Sequence, residues 1–172
     1  MRARHAARDA RRAREFEAFV AGAAGRLLHA ATLLTAEPPD DNPRALRLLT
    51  RALADTYARW DRLRGEDPYD RVRCHLVTRF ARDLRHRYGV PGRARRRPAG
   101  PLAALGPRER LVVVLRLYEG VAEEQAAALL GLPRERVDTL CARATATLWS
   151  ARGSGDGARP ATVTAPGGGT RS

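Results

Sequence analysis

Residues 123–137 read EEQAAALLGLPRERV, and this stretch decides how the C-terminal part of the chain folds. Small Ala127 lets two helices approach closely, and Gly131, four residues later, permits a left-handed turn between them. Val137, six residues further on, packs the second helix against the first. This spacing is typical of a helix-turn-helix, although a plain helical hairpin is also compatible with alanine-rich helices broken by one glycine. Because three separate positions agree, we predict a helix-turn-helix. Its core is completed by Leu130, Leu132 and Leu140.

Apolar residues recur at helical spacing through most of the chain, which predicts an all-α fold. In the N-terminal part, a proline-rich loop at 37–43 and a break at 65–68 separate three helices that can share one small core. Further on, Pro107 begins the helix that leads into the helix-turn-helix. The predicted helices span residues 15–35, 43–64, 69–88, 107–119, 122–130 and 133–149. We therefore predict two small helical domains, a three-helix bundle and a helix-turn-helix domain, joined by a basic linker.

The net charge is +13, and all 32 basic residues are arginine. Such a charge points to a polyanionic partner. The excess lies outside the foldable segments: residues 85–100 hold six arginines and no acid, whereas 15–84 and 101–151 are balanced. This pattern predicts the following organisation: a disordered basic arm at 1–14, a helical domain at 15–88, an Arg-rich linker at 89–101, a helix-turn-helix domain at 102–151 and a disordered tail at 152–172.

The sequence offers little for enzyme chemistry. All three serines lie at or beyond the end of the last predicted helix, and the four histidines have no metal-binding spacing. The two cysteines lack CxxC spacing, which argues against a disulfide framework and a structural zinc site. We therefore expect no catalytic residues, no cofactor and no metal. Since no apolar run approaches the ~20 residues that span a bilayer, we expect no membrane segment and a cytoplasmic location.

Two stretches carry a family resemblance. Residues 105–120, LGPRERLVVVLRLYEG, resemble the opening of region 4 of bacterial RNA polymerase sigma factors, whose pattern is L-P-x-R-x-R-x-V-x-x-L-R-x-x-E. Residues 52–60, ALADTYARW, followed by Asp67 and Pro68, resemble region 2 of the same proteins. The layout over about residues 15–150 is similar to the small two-domain extracytoplasmic-function type, especially its actinobacterial members.

The resemblance implies a function for each domain. In that family, region 2 binds core RNA polymerase and opens the promoter near −10, while region 4 reads the −35 element from the major groove. A recognition helix needs exposed hydrogen-bond donors near its N-terminus, and an arginine there can reach a guanine edge or a phosphate. The implied DNA-binding residues are Arg134, Arg136, Thr139 and Arg143 on the recognition helix, and Arg79, Arg82 and Arg85 on the third helix. The implied core-polymerase-binding residues are Leu48, Leu49, Arg51 and Leu53.

Several contact positions depart from the family pattern. Asp138 and Leu140 stand where relatives usually carry Lys or Arg, while Leu46, Arg47 and Arg51 align with family positions that are usually acidic. Two functions therefore stay open. The first is a sigma factor whose partners are promoter DNA, core RNA polymerase and an anti-sigma factor. The second is a sigma-derived DNA-binding or protein-binding regulator that no longer engages core polymerase.

Overall fold

The computed structural model describes residues 2–63, 65–87 and 98–156, without the side chains of 85–87 and 153–156. Every regular element in these ranges is helical, which confirms the predicted all-α class. The elements in chain order are α1 (Arg2–Thr35), α2 (Pro43–Tyr57), a 3-10 turn (Trp60–Arg62), α3 (Pro68–Arg87), α4 (Pro107–Val113), a π-helical segment (Val114–Tyr118), α5 (Glu123–Leu130) and α6 (Arg134–Asp156).

Helix α1 begins at Arg2, so the prediction of a disordered arm over residues 1–14 is wrong in the part that the structure describes. The Arg12 guanidinium lies 4.6 Å from the centre of the Tyr57 ring. Both Arg8 and Arg12 form ion pairs with the Asp61 carboxylate, at 3.0 and 3.7 Å. Alanine and arginine are also strong helix formers. The prediction of disorder rested on the excess of arginines in residues 1–14. It was wrong because the Asp61 carboxylate, which lies far along the chain, pairs with two of them.

The first three helices form the predicted bundle, which we call the N-terminal half (α1 to α3). Its core includes the fully buried side chains of Leu27 and Leu34 on α1 and Leu76 on α3. Ala45 and Ala52 on α2 are also fully buried, and their small side chains let the helices approach closely. The periodicity of apolar residues thus predicted three helices. However, α1 begins at Arg2 rather than at residue 15, and α2 ends at Tyr57 rather than at residue 64.

By length and composition alone, α1 is long and apolar enough to cross a membrane. Its C-terminal part holds eight buried residues that pack against the rest of the protein. A helix in the core of a folded protein can be as long and as apolar as a membrane-spanning helix, because the protein interior and the lipid bilayer both favour apolar side chains. The burial of α1 therefore explains its composition.

The end of the predicted linker docks on the N-terminal half. The backbone N–H groups of Ala99 and Gly100 both donate to the Ala36 carbonyl, at 3.0 Å. An added Cβ at Gly100 would overlap the Glu37 carbonyl oxygen, so this close approach requires glycine. Residues 88–97, which carry most of the predicted linker, lie outside the described residues, as do residues 157–172 of the predicted tail. Residues 152–156, also predicted as tail, continue α6.

The helix predicted over 107–119 changes its hydrogen bonding partway along. It is α-helical up to Val113 and π-helical from Val114, and the Glu119 N–H donates to the Val114 carbonyl, five residues back. The wider turn brings Tyr118 and Glu119 to the face that meets the N-terminal half. Apolar periodicity cannot distinguish the two helix types over so short a segment.

The C-terminal half (α4 to α6, with the π segment) packs against α1 and α3, and the buried apolar residues of both halves form one continuous core. The sequence predicted two domains joined by a linker and offered no contact between them. This contact creates a buried polar site that neither half forms alone.

Candidate nucleic-acid interface and the contact between the halves

The turn between α5 and α6 has the geometry of a helix-turn-helix. Gly131 adopts a left-handed conformation, with φ of +63°, directly after the end of α5. The N–H of Leu132 donates to the Ala127 carbonyl at 3.0 Å, and the N–H of Gly131 donates to the Ala128 carbonyl at 3.3 Å. These two bonds satisfy carbonyls at the end of α5. The glycine predicted for this turn is therefore confirmed.

The core positions predicted for the motif are also confirmed. Val137 is fully buried between the helices, and Ala127 and Leu140 are buried beside it. Leu130 and Leu132 are half-buried and pack against the same core. This packing leaves the opposite face of α6 in solvent.

The predicted recognition residues lie on the exposed part of α6, but two of the three arginines are already paired. Arg134 forms ion pairs with Glu123 and with Glu124, the latter at 2.7 Å between Nη1 and Oε1. Arg143 Nε lies 3.0 Å from Oε1 of Glu109. All these acids belong to the C-terminal half, so they set the arginine positions before any partner binds.

The other two predicted residues on α6 are also exposed. The Thr139 hydroxyl donates to the Glu135 carbonyl at 2.7 Å, which turns it toward its own helix. The Arg136 side chain extends into solvent. Arg136 and Arg143 lie seven residues apart and hence on the same side of α6.

On α3, the predicted DNA-binding residues fall into different environments. Arg79 Nε donates to Oδ2 of Asp55 at 2.9 Å, and His75 Nδ1 lies 3.6 Å from the same oxygen. Burial lowers the pKa of His75. Arg79 therefore ties α3 to α2, whereas Arg82 is exposed. The side chain of Arg85 lies outside the described residues.

On α2, two of the four residues predicted to bind core polymerase are buried. Leu48 and Leu49 belong to the core and are 8% and 6% exposed, Leu53 is half-buried, and Arg51 is exposed. The prediction treated this leucine face as available, but its burial against α1 and α3 leaves Leu49 little surface for a partner. Leu46 and Arg47 on the same helix are exposed.

The contact between the halves centres on the Glu119 carboxylate, which solvent does not reach. The Tyr69 hydroxyl donates to both of its oxygens, at 2.9 and 3.1 Å. Arg26 and Arg73 approach it at 3.6 and 3.8 Å. The Arg26 guanidinium also lies over the rings of Tyr69 and Tyr118, with 5.4 and 5.8 Å to their centres. Three residues from α1 and α3 thus hold one carboxylate that follows the π segment.

Sequence reasoning did not single out Glu119 as a contact between the halves. A signal was present, because Glu119 is the final acid of the region 4 pattern that the sequence matches. Its partners could not be deduced, since Arg26, Tyr69 and Arg73 lie far away along the chain and show no common motif.

The stability of the Tyr69 contact is expected to fall at alkaline pH. Burial and the hydrogen bond to Glu119 raise the pKa of Tyr69 above its ordinary value. A raised pKa means that the folded state holds the proton more tightly than the unfolded state, so this contribution is complete below about pH 10 and is lost as the pH rises further. In urea titrations, the difference in the free energy of unfolding between the parent and Tyr69→Phe should stay constant up to about pH 10 and be smaller at about pH 11 than at about pH 9. A constant difference would contradict the assignment.

The described residues contain no cluster of three or more His, Cys, Asp or Glu side chains that could hold a metal ion. Cys74 and Cys141 are free thiols there, and burial raises the pKa of Cys74. A raised pKa disfavours the reactive thiolate.

Comparison with known proteins agrees with this geometry. The family described as Sigma-70, region 4 matches residues 102–148. An RNA polymerase sigma-E factor of Streptomyces coelicolor is 32% identical over 155 residues, which cover 78% of this chain and 84% of the relative. An RNA polymerase sigma-E factor of Streptomyces avermitilis is 33% identical over 153 residues, which cover 78% and 83%.

Among solved structures, the structure of CnrH in complex with the cytosolic domain of CnrY is similar, with 29% identity and a TM-score of 0.51 over 82% of this chain and 89% of that chain. The all-α fold and its helix-turn-helix define the class as helical transcription regulators. Within that class, the chain belongs to the sigma-70 family of RNA polymerase sigma factors, as a member of the extracytoplasmic-function type.

Proposed function

We propose that this sigma factor binds core RNA polymerase through its N-terminal half and directs it to promoters that α6 recognises. The observation that carries the proposal is the left-handed turn at Gly131, which presents the exposed N-terminal part of α6 as a recognition helix. The family membership and the names of the relatives support the same function. The protein acts as a non-enzymatic regulator in the cytoplasm.

In this proposal, α6 enters the major groove of the −35 element, where Arg134, Arg136, Thr139 and Arg143 face the DNA. On binding, Arg134 and Arg143 leave their glutamate partners and contact phosphates or guanine edges instead. Because the glutamates compete with DNA for these arginines, a duplex with a mismatched sequence binds more weakly. On α3, Arg82 and Arg85 are the residues proposed to meet DNA near −10. Arg79 contributes indirectly, by orienting α3 against α2.

The docked halves have to separate for both promoter elements to be contacted together. The −35 and −10 elements are about 25 base pairs apart, which is ~85 Å along a duplex that rises ~3.4 Å per base pair. A protein of this size with its halves packed together is much shorter than that span. The contact at Glu119 is therefore proposed to stabilise the free protein and to open on the promoter.

The recognition helix is tested by alanine substitution of Arg136. We expect Arg136→Ala to weaken binding to a duplex that the parent selects from a random library by about 5- to 100-fold, since one good contact to a base is worth ~1–3 kcal/mol. Binding to scrambled duplexes should change much less. The matched control is Arg152→Ala, which removes an exposed arginine near the other end of α6. The affinities are measured by fluorescence anisotropy. If Arg136→Ala weakened binding equally to every sequence, Arg136 would contact a phosphate and not a base.

The partnership with polymerase is tested by pull-down with core enzyme followed by run-off transcription from a selected promoter. We expect the chain to bind core and to start transcripts. The second candidate function, a regulator without core engagement, is favoured by the arginines Arg47 and Arg51 on α2, where the family usually has acids. Binding to DNA without binding to core would support that candidate.

A regulatory protein partner is also proposed. The similar structure of CnrH holds the cytosolic domain of CnrY. By analogy, we propose that an anti-sigma factor binds this chain and competes with its use of polymerase or promoter DNA. Copurification from the native host would identify that partner.

A further inference from the structure

A small cavity of about 90 Å³ opens between α2 and α3, on the surface proposed to meet polymerase. Three arginines of α2, at spacings of three and four residues, line one side of it: Arg44, Arg47 and Arg51. Its floor is apolar and consists of Leu48, Phe80 and Leu84. Asp83 and Thr35 are the remaining lining residues. We call this feature the α2 groove.

Among the residues that line the α2 groove, three carry a guanidinium group and one, Asp83, carries a carboxylate. Nearby Arg110 adds a further guanidinium group. Its side chain is only 6% exposed, and its Nε and Nη1 atoms have no hydrogen-bond partner in the part of the chain that the structure describes. Burial lowers the pKa of Arg110, and the charge of Arg44 lowers it further. Cations gathered in this way favour an anionic ligand.

We propose that the α2 groove binds an acidic segment of a partner protein, which places a carboxylate between the arginines and an apolar side chain over the leucine and phenylalanine floor. Arginine forms a planar fork that matches a carboxylate with two hydrogen bonds. Leu46, which is 48% exposed, extends the apolar surface along α2. This inference rests on the proposed function in one respect, namely that α2 is the helix proposed to bind core polymerase.

The apolar floor favours a protein over a nucleic acid. A phosphate backbone is bound by charge and by donors, and it has no aliphatic side chains to bury against Leu48 and Phe80. The volume also suits one carboxylate group with a short side chain and is too small for a stacked base. An acidic amphipathic helix offers both chemistries on one face, with Glu and Leu at spacings of three and four residues.

The test titrates a fluorescein-labelled helical peptide, with Glu and Leu on one face, into the full chain. Two matched peptides replace either every Glu by Gln or every Leu by Ser. We expect the Glu/Leu peptide to bind at least about tenfold more tightly than either, because the groove requires both charge and apolar contact. A chain with Arg47→Glu and Arg51→Glu should lose at least about tenfold in affinity for the Glu/Leu peptide.

The control chain carries Arg59→Glu and Arg62→Glu, which change the same net charge at exposed positions near the 3-10 turn, away from the groove. Equal losses in the two double variants would overturn the proposal, because they would show attraction by overall charge. Equal binding of all three peptides would also overturn the proposal. So would a single-stranded oligonucleotide that displaces the Glu/Leu peptide from the parent and from the control chain but not from the groove variant.

The same variants separate this proposal from the proposed function. Pull-down with core polymerase tests the sigma role of the parent, whereas the peptide titration needs no polymerase. If the parent fails to bind core yet discriminates among the peptides as expected, the proposed function fails and the α2 groove stands. If core binds but the peptides are not discriminated, the groove proposal fails alone.

Discussion

Val137→Asp is expected to unfold the C-terminal half. Val137 is fully buried between α5 and α6, and the carboxylate would have no partner there. Burying an unpaired carboxylate costs about 4 kcal/mol or more, which is a large part of the ~5–15 kcal/mol that stabilises a whole domain. Sequence-specific DNA binding should disappear with the fold, since α6 loses the helix on which it is positioned.

The measurement is a urea titration followed by circular dichroism, with Ala142→Asp as the matched control. Ala142 is exposed on the same helix, so its replacement adds the same charge without burying it. We expect the control to unfold close to the parent, because exposed substitutions change stability by about 0.5 kcal/mol or less. An unchanged curve for Val137→Asp would mean that α5 and α6 pack in another register.

Glu119→Ala is expected to release the two halves from each other. The substitution leaves the Tyr69 hydroxyl without its acceptor and removes the shared anion of Arg26 and Arg73. Removing one partner of a buried pair costs about 3–5 kcal/mol, and the exposure of Arg26 reduces this to about 2–4 kcal/mol. Because the carboxylate joins helices of different halves, the loss should fall mainly on their contact.

Small-angle scattering measures the release directly, as an increase in the radius of gyration, while circular dichroism should keep its helical signal. Glu17→Ala is the matched control, because Glu17 is exposed on α1 and its replacement removes the same charge. If opening precedes promoter binding, Glu119→Ala should also bind a duplex with both elements at least as tightly as the parent does. A compact Glu119→Ala protein would show that the apolar contacts suffice to hold the halves together.

Much of the fold of each half could be read from local patterns. The spacing of Ala127, Gly131 and Val137 satisfies demands that arise within a few turns of helix, so it predicts the turn geometry and the buried position correctly. Leucine periodicity likewise predicts α1, α2 and α3. These features depend on short-range sterics, which the sequence expresses at neighbouring positions.

Local patterns were less reliable for the candidate site. Arg134 and Arg143 were predicted to be exposed, and they are, but their glutamate partners depend on how α4 and α5 pack beside α6. Leu49 belongs to a face that the sequence shows as apolar, and only the packing of the bundle decides that it is buried rather than offered to a partner. An amphipathic helix can bury its apolar face in the protein's own core or offer it to a partner, and its sequence alone does not distinguish the two.

The sequence by itself therefore determined the all-α class and the helix-turn-helix, because these follow from periodicity and from fixed short spacings. The sigma family was indicated by the resemblance of residues 105–120 to region 4. Only the tertiary structure decided that residues 2–14 are helical, that the halves share one core and that Glu119 is enclosed by Arg26, Tyr69 and Arg73. Those outcomes depend on contacts between residues far apart in the chain. Their free energy comes from charge pairing and burial in three dimensions, which no local pattern records.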